Sequence, residues 1–284
     1  MEKVADKRWD KVIRPRNGWF DVDLREIWRY RDLIALFVWR DFVAVYKQTI
    51  LGPLWYLIQP LLTTLVFTVI FGSVAKLPTE GIPPFLFYFS GVVAWRYFAD
   101  CLNNTSNTFV GNAHLFGKVY FPRITVPVSV VISSLVAFAI QFLLLLLFFA
   151  YYRWSGAPVQ PHPLLLILPL LVAQMAALGL GFGIIVSAMT TRYRDLTHLV
   201  AFGVQLWMFA TPVVYPASSV PAKWQWLLVV NPMAPVVEMF RYASLGTGTV
   251  SLANWAVSLL TTAAVLFAGV LLFSRVEKTF MDTV

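Results

Sequence analysis

The chain has 284 residues, 59% of them hydrophobic and only 13% charged, against roughly 25% charged in soluble domains. Its mean hydropathy is +0.71, and no soluble core of this length hides so much apolar surface. That excludes an ordinary soluble enzyme, a disordered chain and, with Cys101 as the only cysteine, a disulfide scaffold. The composition is that of a polytopic membrane protein.

Charge crowds at the start. Residues 1–47 hold 11 of the 22 Lys/Arg and 8 of the 14 Asp/Glu. A cleaved signal peptide needs an apolar run near its start, and none is present. Residues 1–50 therefore read as a cytoplasmic N-terminal segment. The net charge of +8 suits an anionic inner leaflet better than nucleic acid. Within this segment Ile27, Tyr30, Leu33, Ile34, Phe37 and Val38 fall on one helical face, and Arg25, Arg29 and Arg31 fall elsewhere. Asp23 and Glu26 supply a helix start. Residues 23–38 are expected to form an amphipathic helix along the inner interface. The alternative is a helix packed on a partner.

A spanning helix needs ~20 predominantly apolar residues. Charge-free stretches predict spans near 54–75, 124–152, 164–189, 199–215 and 255–273. One further candidate is short, with 15 charge-free residues between Glu80 and Arg96. Positive-inside bias decides whether it crosses. Six spans with both ends inside put 18 Lys/Arg inside and 4 outside, whereas five spans give 14 and 8. Six is the prediction. The second span then continues past Trp95 into a polar cytoplasmic extension, where Arg96 and Asp100 pair at i, i+4. Residues 217–253 are too apolar for a solvated loop and too interrupted for a span. Short re-entrant helices dipping into the outer leaflet are expected there, buried in protein or facing water. The predicted fold is all-α and polytopic, with a six-span membrane domain at 51–274 and a cytoplasmic tail at 275–284.

Several chemistries are missing. Gly111 to Lys118 resembles a phosphate-binding loop, but it has five residues between its glycines and Val119 in place of the hydroxyl. Gly179, Gly181 and Gly183 sit within a span, where close helix packing is their expected use. His114, His162 and His198 have no metal-ligand spacing, and no Ser/His/Asp constellation can be argued. The sequon Asn103-Asn104-Thr105 falls inside the cell in the six-span arrangement. No Asp or Glu lies in the apolar cores of the spans, although ion-coupled carriers use a buried carboxylate as their relay. Energy must come from elsewhere, and a partner ATPase is the obvious source.

The segment Val110-Gly111-Asn112-Ala113-His114-Leu115-Phe116-Gly117-Lys118-Val119-Tyr120-Phe121-Pro122-Arg123 resembles the cytoplasmic signature of type-2 ABC permeases that export O-antigen, capsule and teichoic-acid polymers. Other segments agree: Gly52-Pro53-Leu54-Trp55, Tyr193-Arg194-Asp195-Leu196, Pro212-Val213-Val214-Tyr215-Pro216, Asn231-Pro232-Met233 and Val276-Glu277-Lys278-Thr279-Phe280. Together they cover roughly residues 25–282. The resemblance implies a multi-pass subunit of the bacterial inner membrane that pairs with a second copy of itself. It implies two separate ATPase subunits, which hold ATP and Mg, and no cofactor in this chain. Their docking surface is implied to be the interface helix and the loop after the second span, carried by Gly111, Asn112, Leu115, Lys118, Val119, Tyr120, Phe121 and Arg123. In that loop Lys118 and Arg123 bracket Val119-Tyr120-Phe121, so charged rims flank an apolar anchor.

The implied cargo is a lipid-linked polysaccharide, wet on its hydroxyl edges and apolar on its ring faces. It calls for aromatic platforms and sparse hydrogen-bonding groups. The first span offers Trp55, Tyr56, Gln59, Phe67 and Phe71; the span near 199–215 offers Gln205, Trp207, Met208, Phe209 and Tyr215. Gln59 and Gln205 are mid-span amides, costly against lipid, so these two faces are expected to line the path. The competing readings are an ABC permease exporting a drug or lipid and, in a different class, an ion-coupled carrier or membrane glycosyltransferase. The last two want acidic residues that are not evident.

Overall fold

The computed structural model describes the chain from Leu24 to Thr279, apart from residues 48, 49, 117, 120, 161, 191, 192, 194 and 249. Much of the expected N-terminal segment (1–23) and the end of the expected tail (280–284) lie outside the described residues. The described residues form helices and no strand. A helix satisfies its own backbone groups, which is what an apolar solvent demands.

In chain order, α1 (Leu24–Arg29) and α2 (Arg31–Lys47) precede a long rod. It opens as a 3-10 turn at Gly52–Leu54, continues as α3 (Trp55–Phe67) and widens to a π-helix at Thr68–Val74. Next come α4 (Pro84–Ser106) and two single-turn helices, α5 (Thr108–Gly111) and α6 (Ala113–Phe116). α7 (Thr125–Trp154) is followed by α8 (Leu168–Thr190), which is entered through a 3-10 stretch at Pro163–Ile167. α9 (Leu196–Ala210), the short α10 (Gln225–Val230), α11 (Met233–Leu245) and α12 (Leu252–Thr279) complete the chain.

Among the described residues, four helices are long and apolar enough to cross a membrane: Gly52–Val74, Thr125–Trp154, Pro163–Thr190 and Leu252–Arg275. Each matches an expected span. α4 joins the short apolar run and its polar extension in one helix of 23 residues. It is long enough to span, but Arg96, Asp100 and the following amides dilute its hydropathy. Arg96 and Asp100 do pair, with Nε and Oδ2 3.6 Å apart. α9 is apolar but has only 15 residues.

Two expectations are corrected. The helix expected over 199–215 ends at Ala210, because Thr211 is extended (φ −105°, ψ 144°). A residue preceding proline is pushed out of the helical region, and Pro212 follows. The helix expected over 23–38 breaks at Tyr30 and runs on to Lys47. Its apolar stripe meets the protein itself: α2 packs on α7, Ile34 and Phe37 are buried, and Ile27, Tyr30, Leu33 and Val38 are half-buried. Trp28, Leu36 and Trp39 are the exposed apolar groups of this region.

α4 is the centre of the bundle. Every residue from Leu86 to Trp95 is buried, because α3, α7, α8, α9 and α11 surround it. Its closest neighbour is α8, and the glycine trio explains how. A methyl group added to Gly179 would lie 2.5 Å from Cys101 Cβ, and one added to Gly183 would lie 2.5 Å from Thr105 Cβ. Gly181, on the opposite side of α8, abuts Leu266 of α12, while Gly269 of α12 abuts the Gly181 carbonyl. Small residues four apart let two backbones approach in a setting where van der Waals contact is the main attraction. Gln174 of α8 strengthens the α12 side. Its Nε2 donates to Ser258 Oγ at 2.8 Å, and its Oε1 accepts from Trp255 Nε1 at 2.9 Å.

Gly183→Val forces α4 and α8 apart and should cost about 1–3 kcal/mol of overpacking strain. Gly203→Ala, where an added methyl meets nothing within 4 Å, should be neutral or slightly stabilising. Thermal unfolding in detergent, followed by tryptophan fluorescence, checks both.

Candidate translocation path and coupling surface

The segment after α9 is held from the side by α11. Arg241 is fully buried. Its Nη1 donates to Glu238 Oε1 at 2.9 Å, and its Nη2 donates to the carbonyls of Pro212 and Val213 at 3.0 and 3.2 Å. The guanidinium lies over the Phe87 ring of α4, 3.9 Å from the centroid. Gly91 makes room, since a methyl there would lie 2.8 Å from the Val213 carbonyl oxygen and 3.0 Å from Arg241 Nη2. Burial pulls the Arg241 guanidinium below its ordinary value, and Glu238 opposes that shift. Asn231 acts as a second clasp. Its Nδ2 donates to the Ala210 carbonyl (3.1 Å) and Thr211 Oγ1 (2.9 Å), and its Oδ1 accepts from Trp207 Nε1 and Met233 N, both at 3.0 Å. The last carbonyls of a helix lack internal partners, and here α11 and its leading Asn-Pro-Met supply them.

The expected path residues divide. Trp55 and Gln59 are exposed on α3, and Gln205 and Phe209 are exposed on α9. Leu62 and Val66 extend the first face, and Phe202 and Leu206 extend the second. Gln59 is not a free amide, because its oxygen accepts from Arg96 Nη2. Phe67 turns inward instead of lining an open face: it is buried against Phe71, centroids 5.5 Å apart, and Phe71 in turn meets Tyr88 at 6.5 Å. Met208 is half-buried. Trp207 also turns inward, against Trp95, Phe98 and Phe182. Tyr215 donates to the Phe209 carbonyl at 3.2 Å. Both residues line a recess of about 410 Å³ with Trp224. α3 packs on α4 and α7, and α9 packs on α4 and α8. The two amide-bearing faces therefore flank α4 rather than meet within one chain.

At the other end, α5, α6 and the segment 121–124 fold over a second aromatic cluster. Phe109 stacks on Phe273 of α12 at 4.8 Å, Phe116 meets Phe121 at 5.8 Å, and Phe121 meets Phe37 of α2 at 5.9 Å. Arg123 lies over the Phe116 ring at 5.6 Å. Phe121 is thus an internal anchor, 7% exposed, and not the outward apolar knob expected from its spacing. Tyr120 lies outside the described residues. Gly111, Lys118 and Val119 form the outward surface, with Asn112, Leu115 and Arg123 half-buried behind it. Asn112 Nδ2 donates to the Thr108 carbonyl at 3.0 Å and closes the turn between α5 and α6.

A family model described as "ABC-2 type transporter" matches residues 32–245. The chain belongs to the ABC-2 type transporter family. Its similar relatives include the O-antigen export system permease protein RfbA of Myxococcus xanthus, 31% identical over 77% of this chain and 82% of that protein. A protein of the same name from Klebsiella pneumoniae is 25% identical over 88% of this chain and 94% of its own length. The polysialic acid transport protein KpsM of Escherichia coli is 24% identical over 88% and 95%. The chain is therefore a multi-pass membrane protein of a transporter family, and transport rather than catalysis is its business.

In this ABC-2 chain the sequence motifs mark positions the structure uses. Pro212-Val213 is what Arg241 holds, and Asn231-Pro232-Met233 is the clasp. The Arg241 contact itself has no local sequence signature, because its carbonyl partners lie 28 and 29 residues away. The available signal was a lone Glu/Arg pair at i, i+3 in an apolar stretch. Arg241→Met takes the guanidinium from the buried Glu238 carboxylate, which keeps the Ala217 N–H at 3.2 Å, and should destabilise by about 3–5 kcal/mol. The double variant Glu238→Gln/Arg241→Met should recover most of that loss. Unfolding in detergent and protease resistance measure both.

Proposed function

We propose that this chain is the membrane permease subunit of an ATP-driven exporter that carries lipid-linked polysaccharide of the O-antigen, capsule or teichoic-acid type across the bacterial inner membrane. The observation that carries this reading is the pair of exposed faces on α3 and α9. Each combines aromatic and aliphatic groups with one amide, Gln59 or Gln205, as a sugar polymer needs. The names of the relatives, O-antigen export and polysialic acid transport, support the same substrate class.

Because those faces flank α4, two copies are needed to enclose one path, each contributing its α3 and α9. α4 and α9 complete six spans with the four long apolar helices, and both termini are then cytoplasmic. Residues 1–50 form the cytoplasmic N-terminal segment, 51–274 the membrane domain and 275–284 the tail. Two ABC ATPase subunits, which bind ATP and Mg, dock on Gly111, Lys118, Val119 and their half-buried neighbours. Phe121 and Arg123 act there by bracing the loop on α2 and Phe116.

Three outcomes test the reading. In a Cys101→Ser background, an impermeant maleimide should label Asn112→Cys only after the membrane is opened; labelling of intact cells would contradict the topology. Val119→Asp should cut export at least severalfold at unchanged abundance, since an exposed apolar contact of about 1–3 kcal/mol is lost at the dock. A bulky label on Gln59→Cys should block export, whereas the same label on Leu260→Cys, an exposed position of α12, should not.

A further inference from the structure

α2, α3, α4 and α7 leave a cavity of about 270 Å³ between them, beside the aromatic cluster that braces the loop. Its polar lining comes from six side chains: Asp41 of α2, Tyr56 of α3, Asp100 and Asn104 of α4, and Ser133 and Ser134 of α7, the last donating to the Val130 carbonyl at 3.0 Å. Phe42 adds a second aromatic wall beside Tyr56. Each carboxylate has an arginine outside the cavity lining. Arg40 Nη2 is 2.8 Å from Asp41 Oδ1, and Arg96 Nε is 3.6 Å from Asp100 Oδ2. Arg96 also ties this site to Gln59. Ser133 Oγ approaches Asp41 Oδ2 at 3.4 Å, a long hydrogen bond.

We infer that this cavity is a glycosyl-binding pocket, selective for a neutral, hydroxyl-rich hexosyl unit over an acidic sugar. The inference rests on the polysaccharide reading above. A hexose presents hydroxyl donors on its edges and C–H groups on its faces. The two carboxylates and the Asn104 oxygen accept from hydroxyls, as does Ser133 Oγ, whose own proton turns toward Asp41; the Asn104 amide and the Tyr56 hydroxyl donate to them, and the two aromatic side chains offer apolar walls. A sugar carboxylate would face Asp41 and Asp100 at the cavity wall, while the arginines that neutralise them, Arg40 and Arg96, stand outside the lining and offer it no cation.

The pocket also has a mechanical neighbour. Asp41 lies four residues beyond Phe37 on the same α2 helix, one turn away. Phe37 is the residue that contacts Phe121 under the coupling surface. A sugar in the pocket would touch α2 one turn from the residue that braces the loop, so occupancy is expected to reach the ATPase dock through α2.

The test uses the chain co-purified with its ATPase, in detergent. Saturation-transfer NMR is recorded with methyl α-D-glucopyranoside and methyl α-D-mannopyranoside, and with the methyl glycoside of N-acetylneuraminic acid as the acidic counterpart. At least one neutral glycoside should bind and raise ATP hydrolysis, and the acidic one should do neither. Ser133→Leu, which fills the cavity, and Asp41→Asn, which keeps its shape but removes a charged acceptor, should each weaken neutral-glycoside binding by about tenfold. If Ser133→Leu fails to assemble, Asp41→Asn decides alone. Equal binding of the acidic glycoside, undiminished binding in the variants, or no glycoside binding to the wild-type complex overturns the inference. Polymer export by the same wild-type complex, reconstituted into sealed vesicles, is measured in parallel. Export without glycoside binding refutes the pocket alone, whereas absent export refutes the permease reading.

Discussion

The close approach of α4 and α8 is the contact on which the rest depends. A membrane protein gains little from moving apolar side chains out of lipid, so its helices must fit one another by shape. Gly179 and Gly183 let α8 lie against α4, and Gly181 with Gly269 brings α12 against the other side of α8. With α8 in place on one side and α3, α7, α9 and α11 on the others, α4 is buried through its apolar half. A buried α4 then serves as the wall against which everything functional is positioned. At one end Gly91 and Phe87 receive Arg241. At the other, Thr190 Oγ1 donates to the Ser106 carbonyl at 3.2 Å, and Ser187 Oγ accepts from Phe109 N at 3.3 Å, fixing where α4 turns into the coupling segment.

Charges obey the same economy. The fully buried cation, Arg241, is tied down by a carboxylate, two carbonyls and an aromatic face. Removing one partner leaves a charge with no water to turn to, which is why such groups are costly to disturb. Arg96 is different. It is partly exposed, bridges α3 to α4 through Gln59, and shares Asp100 with the cavity under α2.

Much of the fold was legible because a bilayer imposes length and composition directly. Charge-free runs gave the four long helices, and the glycine trio gave the close packing. The i, i+4 spacing gave the Arg96–Asp100 pair. What periodicity does not carry is the identity of the neighbour. The stripe on α2 is apolar whether lipid or α7 covers it, and the structure shows α7. Phe67 and Phe121 carry the right chemistry for a lining and a knob, yet aromatic neighbours from other helices turn both inward. The end of α9 was set by Thr211 before Pro212, a local signal outweighed in the reading by the apolar run through it.

The central claim is that this chain conducts polymer only when a separate ATPase drives it. Inverted inner-membrane vesicles preloaded on their outer, cytoplasmic face with lipid-linked polysaccharide test it directly. Protection of polymer inside the vesicles should appear with chain, ATPase and ATP together, and should vanish when any one is withheld. Protection that proceeds without the ATPase, or that follows an imposed proton or sodium gradient without ATP, would contradict the account.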